Sequence, residues 1–184
     1  MGGCIMSFDQ NREELRVVVD APYPPVQAAG RHPEYGRAML SNIGSDHSEM
    51  GTVSQYFYNS VILKPEHEAI ARCFHQISVV EMHHLNIFAS LAFQLGMDPR
   101  LWCVRSGGRS YWSPAYNHYP RELRRILENA VQDEQTAVRK YRRQAETIRD
   151  PNIVDNLNRI ILDEERHIEL FQTMLRRLKE QPGG

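Results

Sequence analysis

The sequence predicts an all-α protein, a four-helix bundle of two antiparallel helix hairpins joined by a long crossover and preceded by an extended N-terminal arm. Three observations carry this. Four X-Pro steps each open a long stretch of helical periodicity, residues 97–119 form an aromatic, glycine-containing break too long for a tight turn, and a Glu and Glu-x-x-His pattern occurs twice.

The elements follow in order. Residues 1–32, with Pro22, Pro24 and Pro25, read as an extended arm laid on the surface, and the bundle spans 33–180. His32-Pro33, Lys64-Pro65, Tyr119-Pro120 and Asp150-Pro151 mark helix starts, because proline's missing N–H would be unpaired at the first helical position and its φ is already helical. Glu34, Glu66 and Glu122 follow in first turns, where the helix dipole favours acids, and Asp150 suits an N-cap. Helices are expected at 33–62, 65–95, 120–148 and 151–179, each about 42 to 46 Å long at about 1.5 Å per residue. Gly44 and Gly51 make the first the weakest, and Gly96 ends the second as a left-handed cap before Pro99. The joints between helices one and two and between three and four are short, so each pair is an antiparallel hairpin. At up to about 3.3 Å per residue the 97–119 segment reaches the length of the bundle as a crossover. The tail Gln181-Pro182-Gly183-Gly184 is too short for a fifth helix.

Composition narrows the function classes. The 184 residues fit one domain. Lys plus Arg number 22 against 23 Asp plus Glu, a net charge of -1 without the clustered basic excess of a nucleic-acid binder. Cys4, Cys73 and Cys103 are odd in number, widely spaced and form no Cys-x-x-Cys pair, which supports neither a disulfide framework nor a thiolate zinc site and fits a reducing compartment. The N-terminus lacks a signal pattern, no apolar run approaches the roughly 18 residues that span a bilayer, and Met1-Gly2-Gly3-Cys4 lacks the Ser or Thr at position 6 of a myristoylation signal. A cytoplasmic protein with no membrane partner is expected.

The chemistry lies in the repeat. Glu49, Val53 and Tyr56 of the first helix match Glu134, Val138 and Tyr141 of the third. Glu81, His84 and Phe88 of the second match Glu164, His167 and Phe171 of the fourth. At about 100° per residue, a His three positions after a Glu stays on the same helix face, and the residue seven after it returns to the same stripe. Each glutamate stands at a similar distance past its initiating proline, so all four carboxylates meet near mid-height. Four buried anions would each cost several kcal/mol unless compensated. Two divalent cations neutralise them, and two neutral imidazoles complete the set without adding charge. A Glu from each of two helices plus Glu-x-x-His from each of the other two is the ligand list of di-iron and di-manganese carboxylate proteins, and oxygen with imidazole donors suits Fe and Mn. Asp163, Glu165 and Glu169, beside this stripe, are expected to be solvated.

Ser48-Glu49 with Gln55-Tyr56, Glu81-Met82-His83-His84, Glu134 and Glu164-Glu165-Arg166-His167 resemble the ferritin-like superfamily, which includes bacterioferritins, rubrerythrins and manganese catalases with their spore-coat relatives. The resemblance covers 33–179 and implies the ferritin-like four-helix bundle. It implies that Glu81 and Glu164 bridge two metals, with Glu49 and His84 terminal on one and Glu134 and His167 on the other. Rubrerythrins carry a rubredoxin module with two Cys-x-x-Cys knuckles; its absence here implies an external electron-donor protein. Cage-forming ferritins have a fifth helix that this tail does not provide. Met82 matches the place where bacterioferritins put a haem-ligating Met, although a Met filling an apolar gap is the commoner role, so haem is not expected.

Tyr56 and Tyr141 are candidates to hydrogen-bond a ligand carboxylate or act in one-electron steps. His83 and His75 lie off the stripe, His118 is placed to line an entrance, and Cys73 reads as a small buried apolar residue. The expected protein is a non-haem di-metal oxidoreductase, iron ahead of manganese, acting on H2O2 or O2 in peroxide detoxification as peroxidase or catalase, and forming a homodimer. The alternatives are a ferroxidase and iron-storage protein, and a structural coat-type protein with a vestigial site.

Overall fold

A computed structural model of the chain describes residues 16–180. The N-terminal start with Cys4, the first part of the expected arm and the Gln181–Gly184 tail lie outside the described residues. The element order is α1 (Pro33–Gly44), α2 (Glu49–Leu63), α3 (Glu68–Gln94), β1 (Trp102–Arg105), β2 (Gly108–Tyr111), a single 3-10 turn (Pro114–Tyr116), α4 (Leu123–Thr147) and α5 (Pro151–Glu180). Helices α2 with α3 and α4 with α5 pack as the two predicted hairpins. No helix among the described residues is long and apolar enough to cross a membrane.

The first predicted helix is in fact two. The chain turns extended at Ser45, and residues 45–48 form a bend before α2 resumes at Glu49. Local and distant groups hold this break. Ser45 Oγ donates to the His47 carbonyl at 2.8 Å, and Ser48 Oγ donates to the Ser45 carbonyl at 2.7 Å. The half-buried Lys140 of α4 donates through its ammonium to the carbonyls of Ser41 at 2.7 Å and His47 at 2.9 Å. Gly44 is required because β1 packs against it: a Cβ there would lie 2.3 Å from the Trp102 amide nitrogen. Gly51, by contrast, sits inside α2.

Pro33 and Pro151 open their helices as predicted, and Asp150 Oδ1 accepts the Asn152 N–H at 3.0 Å. Pro65 and Pro120 do not. Pro65 lies in the turn that the Leu63 carbonyl closes by accepting from the Glu66 and His67 amides, so α3 starts three residues late. Glu122 occupies the N-cap of α4 instead of its first turn, its carbonyl accepting from the Ile126 amide at 3.0 Å. Gly96 ends α3 at φ 90. The crossover is more ordered than expected: β1 and β2 pair antiparallel from Trp102 with Tyr111 to Arg105 with Gly108, and Trp102 is buried in the core. The arm from residue 16 lies extended against α3 and α5.

The core divides in two. One cluster holds Met39, Ile43, Phe88, Leu91, Trp102, Leu157 and Ile160. The other holds Tyr56, Phe74, Ile77, Leu127, Phe171 and Met174. Along α3, α4 and α5 the chain leaves one cluster and enters the other on passing Glu81, Glu134 and Glu164. The carboxylates therefore form a polar layer between two apolar ones. Phe74 stacks on Phe171 with ring centroids 4.9 Å apart and meets Tyr56 edge-on at 5.2 Å. Phe74→Ala is expected to cost about 3–5 kcal/mol, read as a lower urea midpoint at unchanged slope; a loss under about 1 kcal/mol would show that this cluster is not the packed core described.

Candidate metal centre

Six side chains predicted to meet do so. Glu49 is the first residue of α2, placed by the break; Glu81 and His84 lie on α3, Glu134 on α4, and Glu164 and His167 on α5. All six are buried. His84 Nδ1 lies 3.1 Å from Glu81 Oε2 and 3.4 Å from Glu164 Oε1. His167 Nδ1 lies 2.9 Å from Glu81 Oε1, 3.2 Å from Glu164 Oε2 and 3.7 Å from Glu134 Oε1. Two groups with potential ligand atoms within 4.8 Å result: Glu49, Glu81, His84 and Glu164, and Glu81, Glu134, Glu164 and His167. Glu81 and Glu164 belong to both.

Burial, then the charges of Glu164 and Glu81, push the carboxyls of Glu49 and Glu134 well above the usual range. Burial opposes charge on the imidazoles, yet the carboxylates win: Asp163, Glu164 and Glu81 raise His84 well above its ordinary value, and Glu81 and Glu164 raise His167 to about 9. Burial works against ionised Glu81 too, but His167 and His84 hold it below the ordinary range. Protons can thus offset the carboxylate charge, and divalent cations must displace them. The donor set, oxygens and imidazole Nδ1 atoms converging without thiolates, fits Fe or Mn.

The tyrosines cross between hairpins. Tyr56 of α2 donates to Glu134 Oε1 of α4 at 2.6 Å, and Tyr141 of α4 donates to Glu49 Oε1 of α2. Burial pushes both phenols well above their ordinary values, so they remain donors. Met82 is 54% exposed on the outer face of α3. His75 and His83 are exposed, and the His83 ring meets Tyr23 edge-on. His118 lines a cavity of about 40 Å³ with His47, Gln55, Asp133 and Tyr141. Cys73 is buried and its thiol is pushed up to about 12, chiefly by burial.

One expectation is corrected. Asp163 is not solvated but fully buried, ion-paired to Arg159 at 2.7 Å and accepting the Val19 N–H at 2.9 Å and the Tyr23 hydroxyl at 2.5 Å. Its Oδ2 lies 3.3 Å from His84 Nε2. Against the cost of burial, His84, Arg159 and Tyr23 keep it ionised. Sequence reasoning missed Tyr23, Arg159 and Lys140; the Arg159 and Asp163 spacing of four was the one local signal.

A family model described as rubrerythrin matches residues 46–175. No curated protein matches the chain. A manganese catalase from Anabaena PCC7120 is similar in structure, with TM-score 0.78 and 19% identity over 90% of this chain and 83% of that one. The bacterioferritins of Rhodobacter capsulatus and Mycobacterium tuberculosis are each similar with TM-score 0.68 and 19% identity, over 82% of this chain and 89% of theirs. The first was solved with a metal-free dinuclear site and haem iron.

Metal uptake is predicted to release protons. Glu49, Glu134, His84 and His167 all have raised pKa values, so each holds a proton to higher pH than usual and gives it up when a cation binds. Mn2+ affinity should therefore rise between pH 6 and 8, with proton release detectable by calorimetry in buffers of different ionisation enthalpy. A pH-independent affinity would contradict this electrostatic picture.

Proposed function

The chain belongs to the rubrerythrin family, and from that premise we propose that it is a non-haem di-metal oxidoreductase acting on H2O2 or O2, with peroxide removal as its reaction. The observation that carries this reading is the pair of four-ligand groups sharing Glu81 and Glu164. In this proposal Glu81 and Glu164 hold both ions, Glu49 and His84 complete one set, and Glu134 and His167 complete the other, with iron favoured over manganese. The ions, when bound, supply Lewis acidity and one-electron redox chemistry to an oxygen species.

The chain's own residues do the rest. Tyr56 and Tyr141 fix the terminal carboxylates through their hydroxyls, and the two apolar clusters keep bulk water from the polar layer. The cavity beside Tyr141, lined by His118 and Asp133, gives a small polar oxygen species its approach. In this proposal a reductive cycle draws its electrons from an external donor protein. Phe57, Val61, Val79 and Phe93 form an exposed apolar face on α2 and α3, which we assign to a homodimer. Met82 lies on the same face, and haem binding there is not part of the proposal. The compartment proposed is the cytoplasm.

Similarity to a manganese catalase supports the peroxide reading. Similarity to bacterioferritins favours a second, ferroxidase and iron storage, which predicts assemblies far larger than a dimer on a sizing column. The deciding experiment mixes metal-loaded protein with H2O2. Oxygen release without reductant identifies a catalase, peroxide consumption only with reductant identifies a peroxidase, and the absence of both would refute peroxide removal. Glu81→Ala should abolish both metal retention and turnover; retained turnover would place the chemistry elsewhere.

A further inference from the structure

The two halves of the centre are built alike by the sequence repeat, but their imidazoles are held differently. His84 presents Nδ1 to the carboxylates and Nε2 to the outside, where two acceptors wait: Tyr23 Oη at 3.2 Å and Asp163 Oδ2 at 3.3 Å. The Tyr23 hydroxyl donates onward to Asp163 Oδ2 at 2.5 Å. Tyr23 comes from the arm, and the arm is tied down around it. Arg159 lies 4.1 Å over the Tyr23 ring, donates through Nε to the Ala21 carbonyl at 2.9 Å and through Nη2 to the Val19 carbonyl at 3.1 Å. Val19 N–H in turn donates to Asp163 Oδ1. His167 also turns Nδ1 inward, but no partner among the described residues bonds to its buried Nε2.

A hydrogen bond from the outer ring nitrogen fixes the tautomer and orientation of a ligating imidazole and raises its basicity, and losing such a partner typically costs about 10- to 100-fold in metal affinity. We propose that Tyr23 is a positioning residue that makes the two metal positions unequal: the arm preorganises His84, so the Glu49 and His84 position binds its cation first and more tightly than the Glu134 and His167 position. This rests on the di-metal reading above. It assigns a role to an arm that the repeat does not contain. Both positions share Glu81 and Glu164 and each has one further Glu braced by a tyrosine, so the outer hydrogen bonds of His84 are the difference on which the inequality rests.

The test is titration of the full-length protein with Mn2+, following free Mn2+ by its electron paramagnetic resonance signal, with helicity checked by circular dichroism. The wild type is expected to bind two ions in two resolved steps. Tyr23→Phe, which keeps the ring over Arg159, should weaken the first step by about 10-fold and leave the second in place. Asp163→Asn should weaken the same step. Two indistinguishable steps in the wild type, no change in Tyr23→Phe, or equal weakening of both steps would each overturn the inference. If the wild type binds no stoichiometric metal, the di-metal reading itself fails, and that outcome is distinct.

Discussion

Four glutamate carboxylates share the dry centre of this bundle, and their mutual repulsion sets the terms for what surrounds them. Unpaired, each would cost several kcal/mol to bury. The structure meets that cost locally, with protons held on Glu49 and Glu134, positive imidazoles against Glu81 and Glu164, and tyrosine hydroxyls donated to the terminal carboxylates. In the proposed di-metal state, a metal pair carrying four positive charges would take the place of these protons. The same demand divides the hydrophobic core, because the polar layer interrupts packing on three helices at one height. Stability then rests on two smaller cores, and fully buried rings such as Phe74, Phe88 and Phe171 supply the apolar area that each needs.

Function follows from where this layer is closed and where it is approached. The arm packs over it on the His84 side, where Tyr23 bonds Asp163 and lies under Arg159, which is itself ion-paired to Asp163. The bend between α1 and α2 lies on another side, and the small cavity there reaches inward to Tyr141. Lys140 holds that bend open by taking up the carbonyls it frees. Burial lowers the Lys140 pKa to about 8, against Glu49 and Asp46, which favour its charge. A repeat that is nearly symmetric in sequence is thus asymmetric in its access and in its outer support.

The clustered glutamates and histidines were legible in the sequence because their relations are local. Glu81 with His84 and Glu164 with His167 are three residues apart on one helix, and a helix fixes that geometry without help from the rest of the chain. The hairpins were legible for a similar reason, from short joints and a long crossover. The rest depended on contacts distant in sequence. Lys140 breaks the first helix from 99 residues away, and Tyr23 meets Asp163 across 140 residues. Neither side chain stands out within its own segment, and Asp163 reads as one more acid in a charged run. Proline was the misleading local signal: Pro65 lies in the turn before α3 and Pro120 in the irregular segment before α4. The short hairpin of the crossover was hidden because its strands have four residues each, too few to show a period.

The central claim, that the buried glutamates and histidines hold two transition-metal ions, is most directly tested by anomalous scattering from crystals of protein expressed with iron and manganese both available. Data collected at each absorption edge should show two peaks about 3.5–4 Å apart. Glu81 and Glu164 should lie between them, with one peak beside Glu49 and His84 and the other beside Glu134 and His167. Absence of anomalous density within that cluster, or a single ion bound elsewhere on the chain, would contradict the account.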